Sequence, residues 1–253
     1  MFSANPKRTA LALAATSLVV GQCHAEVSPE YIAHQEEQHS AKAAQEVAIY
    51  GYPLVMMSLL KQYGTYTRSA GDYRAPINQF AHAKSQATPL DEAVALPNID
   101  ALTSKAWIDL TEGPFVLHIP AIYKRFFLFE VFDGWTNIPT TIAPLTTDSK
   151  AKDFLLCGPD FKGSIPHNVT HVRVGTNMAY ISGLIQCFGP NDYEALHDIQ
   201  KKITLTPLAK FGQPYSPPAM TAAEGPIASK ESPANQLSEM SFISFFDRLQ
   251  ALL

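Results

Sequence analysis

The hydrophobic and polar positions divide the chain into a helical stretch, a long run of strands and two later amphipathic segments. Ser28-Pro29-Glu30 reads as a helix start: a hydroxyl to cap the first turn, a proline at the first helical position, and an acid near the positive end of the helix dipole. The residues that follow, to position 62, are rich in Ala, Glu, Gln and Leu. They are polar first, at Glu36, Glu37 and His39, and apolar later, at Val47, Leu54, Val55 and Leu59. Pro53 predicts a kink or a split near Gly51-Tyr52. From residue 64 to 90 the periodicity fades, with Gly71, Pro76 and Pro89 marking loop.

From Ala93 the pattern changes to strands. A short one is predicted at residues 94–96. Residues 105–110 and 115–119 flank the turn Thr111-Glu112-Gly113-Pro114 and read as a hairpin. Residues 125–133 (RFFLFEVFD) give the strongest strand signal, and aromatics on both faces predict a mostly buried central strand. Weaker strands follow at 138–143, 153–157, 169–174 and 178–187. Asn191 is placed as the N-cap of a helix, with Glu194 at capping-box spacing and Tyr193, Leu196, Ile199 and Ile203 on one face. Residues 237–253 form a last amphipathic helix, with Phe242, Phe245, Phe246 and Leu249. Such a face cannot bury itself alone: it docks back, pairs with a second chain, or begins a further domain. The predicted class is α+β: an N-terminal helical segment, an antiparallel β-sandwich of jelly-roll type, and a closing helix. The expected divisions are 1–25, 26–90 (helical), 91–211 (sandwich), 212–236 (a Pro-rich linker) and 237–253.

Composition narrows the class. The chain has 253 residues, 46% hydrophobic and 17% charged, which excludes a disordered chain, a disulfide miniprotein and a coiled coil. Lys and Arg number 19 against 23 Asp and Glu, so no basic face is offered to nucleic acid. Lys7 and Arg8, the apolar run 10–20 and Cys23-His24-Ala25 have the layout of a cleavable export signal ending at Ala25. The expected location is periplasmic or secreted. No membrane-length apolar run remains after cleavage. In an oxidising compartment Cys157 and Cys187 either pair or stay separate buried thiols.

The motifs of α/β-hydrolases, P-loop enzymes, H-E-x-x-H proteases and C-x-x-C proteins are absent. Asn98 and Asp100 stand just before a strand, where short polar side chains either close an Asx turn or face a ligand. Arg125 opens the aromatic strand and Asp133 ends it. Glu130 inside it needs a partner such as Arg125 or Lys105, or becomes an active-site carboxylate. His82 is a candidate general base. His167 and His171 lie four apart on one strand face and could share a metal, though no metal set is assigned, and the cofactor is left open.

These blocks carry a resemblance. Ala48-Ile49-Tyr50-Gly51-Tyr52-Pro53-Leu54, Asn78 to His82, Pro97-Asn98-Ile99-Asp100 leading to Trp107-Ile108-Asp109-Leu110, Gly113 to Leu117, Arg125 to Asp133 with Thr136-Asn137, Gly158-Pro159 and Leu205-Thr206-Pro207-Leu208 resemble the family named after the domain of unknown function 1254. The resemblance implies a helical part leading into a jelly-roll-like sandwich. It also implies a second β-rich domain after the linker, of the kind called domain of unknown function 1214, whose opening helix residues 235–253 resemble. On that basis the chain is expected to be a truncated copy with a separately encoded C-terminal partner. The family pattern carries Tyr where this chain has Thr103, and an Arg in the late strand near Gly183, so a site built on those side chains is altered here.

Two functional expectations follow. One is a hydrolase-like enzyme acting on a small organic substrate at the sandwich mouth, with Asp100 or His82 as general base and Asn98, Arg125 and Asp133 as binding groups, Arg125 holding an anion. The other is a non-catalytic periplasmic binding or assembly module, or an inactive truncated copy; the fold alone does not choose between these.

Overall fold

The computed structural model describes residues 28–88, 98–218 and 231–253. The expected export signal, the strand expected at 94–96 and residues 219–230 of the expected linker lie outside the described residues. The chain divides into two compact units, residues 1–50 and 51–253. In the first, the described residues are helical turns with Tyr31, Ile32, Val47, Ile49 and Tyr50 exposed.

The first helix, α1, runs from Pro29 to Thr65. Of the kink or split expected at Pro53, the split does not occur: the proline lies inside one continuous helix. One proline removes one backbone hydrogen bond, and the turns after it are held by burial of Leu54, Val55, Met57 and Leu59. Among the described residues nine strands follow: β1 (Phe80–His82), β2 (Ala101–Asp109), β3 (Phe115–Ile119), β4 (Phe127–Asp133), β5 (Thr140–Ile142), β6 (Lys152–Cys157), β7 (Val169–Arg173), β8 (Met178–Gln186) and β9 (Thr204–Pro207). A one-turn helix α2 (Pro144–Thr147) follows β5, and α3 (Tyr193–Gln200) lies between β8 and β9. A five-stranded antiparallel sheet has the order β1-β2-β8-β4-β5. A four-stranded sheet has the order β7-β6-β3-β9, with β6 and β7 parallel. Leu102, Ile108, Phe129 and Ile181 of the first sheet and Leu117, Phe154, Leu156 and Leu205 of the second belong to one core cluster. The architecture is therefore α+β, with two mostly antiparallel sheets.

Three local expectations are corrected. β2 and β3 are not a hairpin. β2 pairs with β8 along its whole length and with β1 on its other edge, so no edge is left for β3, which pairs with β6 and β9 instead. The turn between them, with Gly113 at φ 137°, carries the chain from one sheet to the other. The aromatic strand starts at Phe127, and only one of its faces is fully buried. Phe127, Phe129 and Val131 enter the core, while Leu128, Glu130 and Phe132 are half-exposed. The third is Asn191, which sits in a 3₁₀ turn (Pro190–Asp192) ahead of α3 and does not cap it. The neighbouring Asp192 carboxylate is occupied elsewhere, by Arg125.

The C-terminal segment docks within its own unit. After a short helix α4 (Pro233–Ser238), α5 (Phe242–Leu252) buries Phe245 and Leu249. A Cβ on Gly51 would run into the Leu249 side chain, so the two helices approach where no side chain intervenes. Arg248 donates from Nε to Ser58 Oγ (2.7 Å) and from Nη2 to Gln62 Oε1 (3.2 Å). Cys157 and Cys187 are free, buried thiols.

Candidate functional site

The five-stranded sheet has a second face, away from the core cluster. Alternation along β2 sends Leu102, Ala106 and Ile108 inward and leaves Thr103, Lys105 and Trp107 on the other side. Register then builds rows across this outer face. Lys105 stands opposite Ser182, and Ser182 opposite Glu130. In the next row Trp107, Tyr180 and Phe132 form an aromatic ladder, with ring centroids 4.5 and 6.0 Å apart. The second half of α1 lies against this ladder. A Cβ on Gly64 would come 2.7 Å from the Trp107 indole nitrogen, and Lys61 Nζ lies 3.5 Å from Asp109 Oδ2.

Beside these contacts the face opens into two adjoining chambers. The larger has a volume of about 470 Å³ and apolar walls from Met56, Met57, Leu60, Trp107 and Tyr180. Arg74 lines it, with its guanidinium 3.9 Å over the Tyr63 ring. The smaller, about 220 Å³, is lined by Asn98, Thr103, Ser182 and Leu184 among others. Tyr73 and Lys105 line both chambers. No Asp or Glu is among the described residues lining either one. Burial lowers the Lys105 ammonium below its ordinary value of 10.5. Burial pushes the Tyr180 phenol up to about 12, against the opposing effect of a hydrogen bond with Ser182. Both shifts have the same cause, the removal of water from this face. An apolar wall, two cations and no carboxylate suit a small organic anion with an apolar body.

The five residues expected to form a site are not brought together. Asn98 lines the small chamber; its Oδ1 accepts from Asp100 N at 2.9 Å, which is an Asx turn. Asp100 is exposed, and its carbonyl accepts from Cys187 N. His82 points to the opposite side from the chamber residues Ala81 and Ala83. Its Nδ1 lies 2.9 Å from Ser104 Oγ, and burial holds its pKa down at about 4, so the ring is neutral at pH 7. His82 and Ser104 have the contact of a base and a nucleophile, yet Ser104 is fully buried on the core face. The Arg125 guanidinium donates to Asp192 at 2.7 and 2.9 Å and to the Gln186 carbonyl at 3.0 Å. Asp133 ends β4 at the far end from Arg125, and β4 pairs with β8 through the whole stretch between them. The Asp133 carboxylate is buried and accepts from Trp135 N, Asn137 N and Asn137 Nδ2, which orders the turn after β4.

Sequence reasoning missed Lys105 and Arg74 as site residues. Lys105 had a legible signal: a lone cation on the same strand face as Thr103 and Trp107. Arg74 had none, because it stands in an aperiodic loop. Among the described residues no cluster of three or more His, Cys, Asp and Glu could hold a metal. His171 lies 3.0 Å from the Cys157 sulfur instead.

Comparison with known proteins matches residues 77–207 to the family described as "Protein of unknown function (DUF1254)". No curated protein matches. Among solved structures, the chain is similar to the crystal structure of the VPA0106 protein from Vibrio parahaemolyticus. That likeness has 18% identity and a TM-score of 0.56, and covers 82% of this chain and 50% of the other. The chain thus spans half the length of that protein, and the likeness is one of fold. Of the two departures from the family pattern noted above, Thr103 lines the small chamber. Gly183 lies on the other, core-facing side of β8, where a Cβ would run into the Phe129 ring and the Ser104 carbonyl, so it has no room for a side chain.

Proposed function

The chain belongs to the DUF1254 family of proteins of unknown function, and from that premise we propose that its cleft binds a small organic anion with an apolar body. The observation that carries this reading is the pairing of Arg74 and Lys105 with walls of Met56, Leu60, Trp107 and Tyr180, and no acid among the described lining residues. A cation left without a carboxylate beside dehydrated apolar surface is an expensive arrangement for an empty fold and a useful one for an anionic guest. Binding is preferred to hydrolysis by Asp100 and His82 because neither lines either chamber.

Isothermal titration with 4-phenylbutyrate and with the neutral 4-phenylbutanol tests the reading. The acid should bind at least about tenfold more tightly than the alcohol, the scale of one charge-assisted hydrogen bond. Lys105→Met and Arg74→Met should each erase much of that preference. Equal binding of acid and alcohol, or an acid preference untouched in both variants, rejects it.

A further inference from the structure

We propose that the smaller chamber is the seat of the ligand's oxyanion headgroup, held by Thr103, Ser182, Asn98 and Lys105, with the apolar body lying in the larger chamber. This rests on the reading of the cleft as an anion site and adds to it the orientation and the chemical class of the ligand: a carboxylate, or another small oxyanion, at the end of an apolar chain or ring.

The first observation is Thr103. Its Oγ1 is buried and has no hydrogen-bond partner, and among the described residues it is the buried side-chain oxygen or nitrogen left in that condition. Native folds seldom leave such a group unmet, and an unmet one calls for an explanation by water, an ion or a ligand. Thr103 is among the residues that line the smaller chamber, beside Ser182 and Lys105, so its hydroxyl belongs to that wall. The second observation is the chemistry around it. Asn98 has its Oδ1 committed to Asp100 N, which leaves the donor end of the amide. Ser182 faces Lys105 across the β2–β8 pair, and both line the chamber. Burial is the sole influence on the Lys105 ammonium, with no charged or hydrogen-bonding partner among the described residues. Among the described residues the chamber therefore offers an ammonium, an amide donor, the Thr103 hydroxyl and the Ser182 hydroxyl, which also meets the Tyr180 phenol, and no carboxylate. That is a donor set for an oxyanion.

The third observation is size. A chamber of about 220 Å³ takes a headgroup and little more, while the adjoining one of about 470 Å³ takes a ring or a short chain against Trp107 and Tyr180. Lys105 lines both, so it stands at the junction where head meets body. The orientation follows from this: head between β2 and β8, body toward Met56 and Leu60 on α1.

Thr103→Val is the discriminating variant, because it exchanges the hydroxyl for a methyl of nearly the same shape. Titration with 4-phenylbutyrate should show a five- to tenfold weaker complex, and 4-phenylbutanol should show less change. The ligand-free variant should unfold at the same or a higher temperature than the parent, since its buried hydroxyl had nothing to bond. Ser182→Ala should weaken the acid in the same direction. Phenylacetate should bind more weakly than 4-phenylbutyrate, because its ring stays short of Trp107. Running 3-phenylpropylphosphonate beside 4-phenylbutyrate separates the two oxyanion classes; tighter binding of either keeps the subsite and names its headgroup. Unchanged acid binding in both Thr103→Val and Ser182→Ala, with Lys105→Met still weakened, overturns the subsite and leaves the cleft reading standing. A ligand-free Thr103→Val protein that melts several degrees lower also overturns it, because the hydroxyl would then be bonded within the fold. Absence of any acid binding by the parent chain removes the cleft reading and this inference with it.

Discussion

Arg125 and Lys105 are two cations of the same sheet in opposite circumstances. Arg125, at the approach to β4, spends its guanidinium on Asp192 and the Gln186 carbonyl, and its side chain is only 12% exposed. The hydrogen bond from Arg125 holds the Asp192 carboxyl below its ordinary value, and Asp192 raises Arg125 in return. Lys105, in the middle of β2, is half-buried with no such partner, and burial alone pushes its ammonium down. A cation whose donors are all met inside the fold ties segments together. One left unmet beside a cavity is available to a guest. Sequence position alone pointed the other way, because an arginine opening an aromatic strand looked like the anion-binding group.

The largest test of this contrast is at Arg125. Arg125→Met keeps the stem and leaves the half-buried Asp192 carboxylate with only the Phe188 amide, so unfolding in urea should show a loss of about 3 kcal/mol. Affinity for 4-phenylbutyrate should not change. A stability loss below about 1 kcal/mol, or weakened binding, breaks the assignment of Arg125 to the fold.

Next in size is His82, whose pKa is lowered from 6.5 to about 4 by burial. The unfolded chain takes up a proton through this interval that the folded chain refuses. Stability is therefore full above pH 6.5 and declines as pH falls toward 4, by about 2 to 3 kcal/mol for this one group. Comparing urea unfolding at pH 7 and pH 4 in the parent and in His82→Asn isolates the contribution. If the two proteins lose stability in parallel, the neutral His82 bonded to Ser104 is not the acid-sensitive element.

The strands were legible because alternation is local: β4, β6, β7 and β8 lie within two residues of the expected runs. Pairing was not, since nothing between residues 105 and 119 says that both edges of β2 are already taken. The resemblance located the right stretch, and residues 77–207 carry the family match. The Asx turn at Asn98 was legible because its chemistry is readable in a short motif. Asp133 and Arg125 were drawn toward function because sequence shows a charge at the end of a strand and cannot show that the turn after β4, or Asp192 sixty-seven residues on, consumes it. Thr103 was noted only as a departure; its significance depends on a burial that no residue string displays.

The smallest expected effect sharpens the contrast most. In Lys105→Met the removed ammonium was half-buried and unpaired, so the ligand-free protein should keep its stability within about 0.5 kcal/mol of the parent, or gain slightly. The same change should lower affinity for 4-phenylbutyrate by at least about tenfold. A pH series adds the sign. Because burial lowers Lys105 from 10.5, the parent should lose acid affinity at a pH below the ordinary lysine range as the ammonium gives up its proton. Lys105→Arg, which stays charged, should hold whatever affinity it has through that range. Arg125 and Lys105 then separate by two independent readings: one substitution moves stability and spares binding, the other moves binding and spares stability. A Lys105→Met protein that unfolds more easily by over about 1 kcal/mol would place that ammonium among the groups the fold itself uses, beside Arg125.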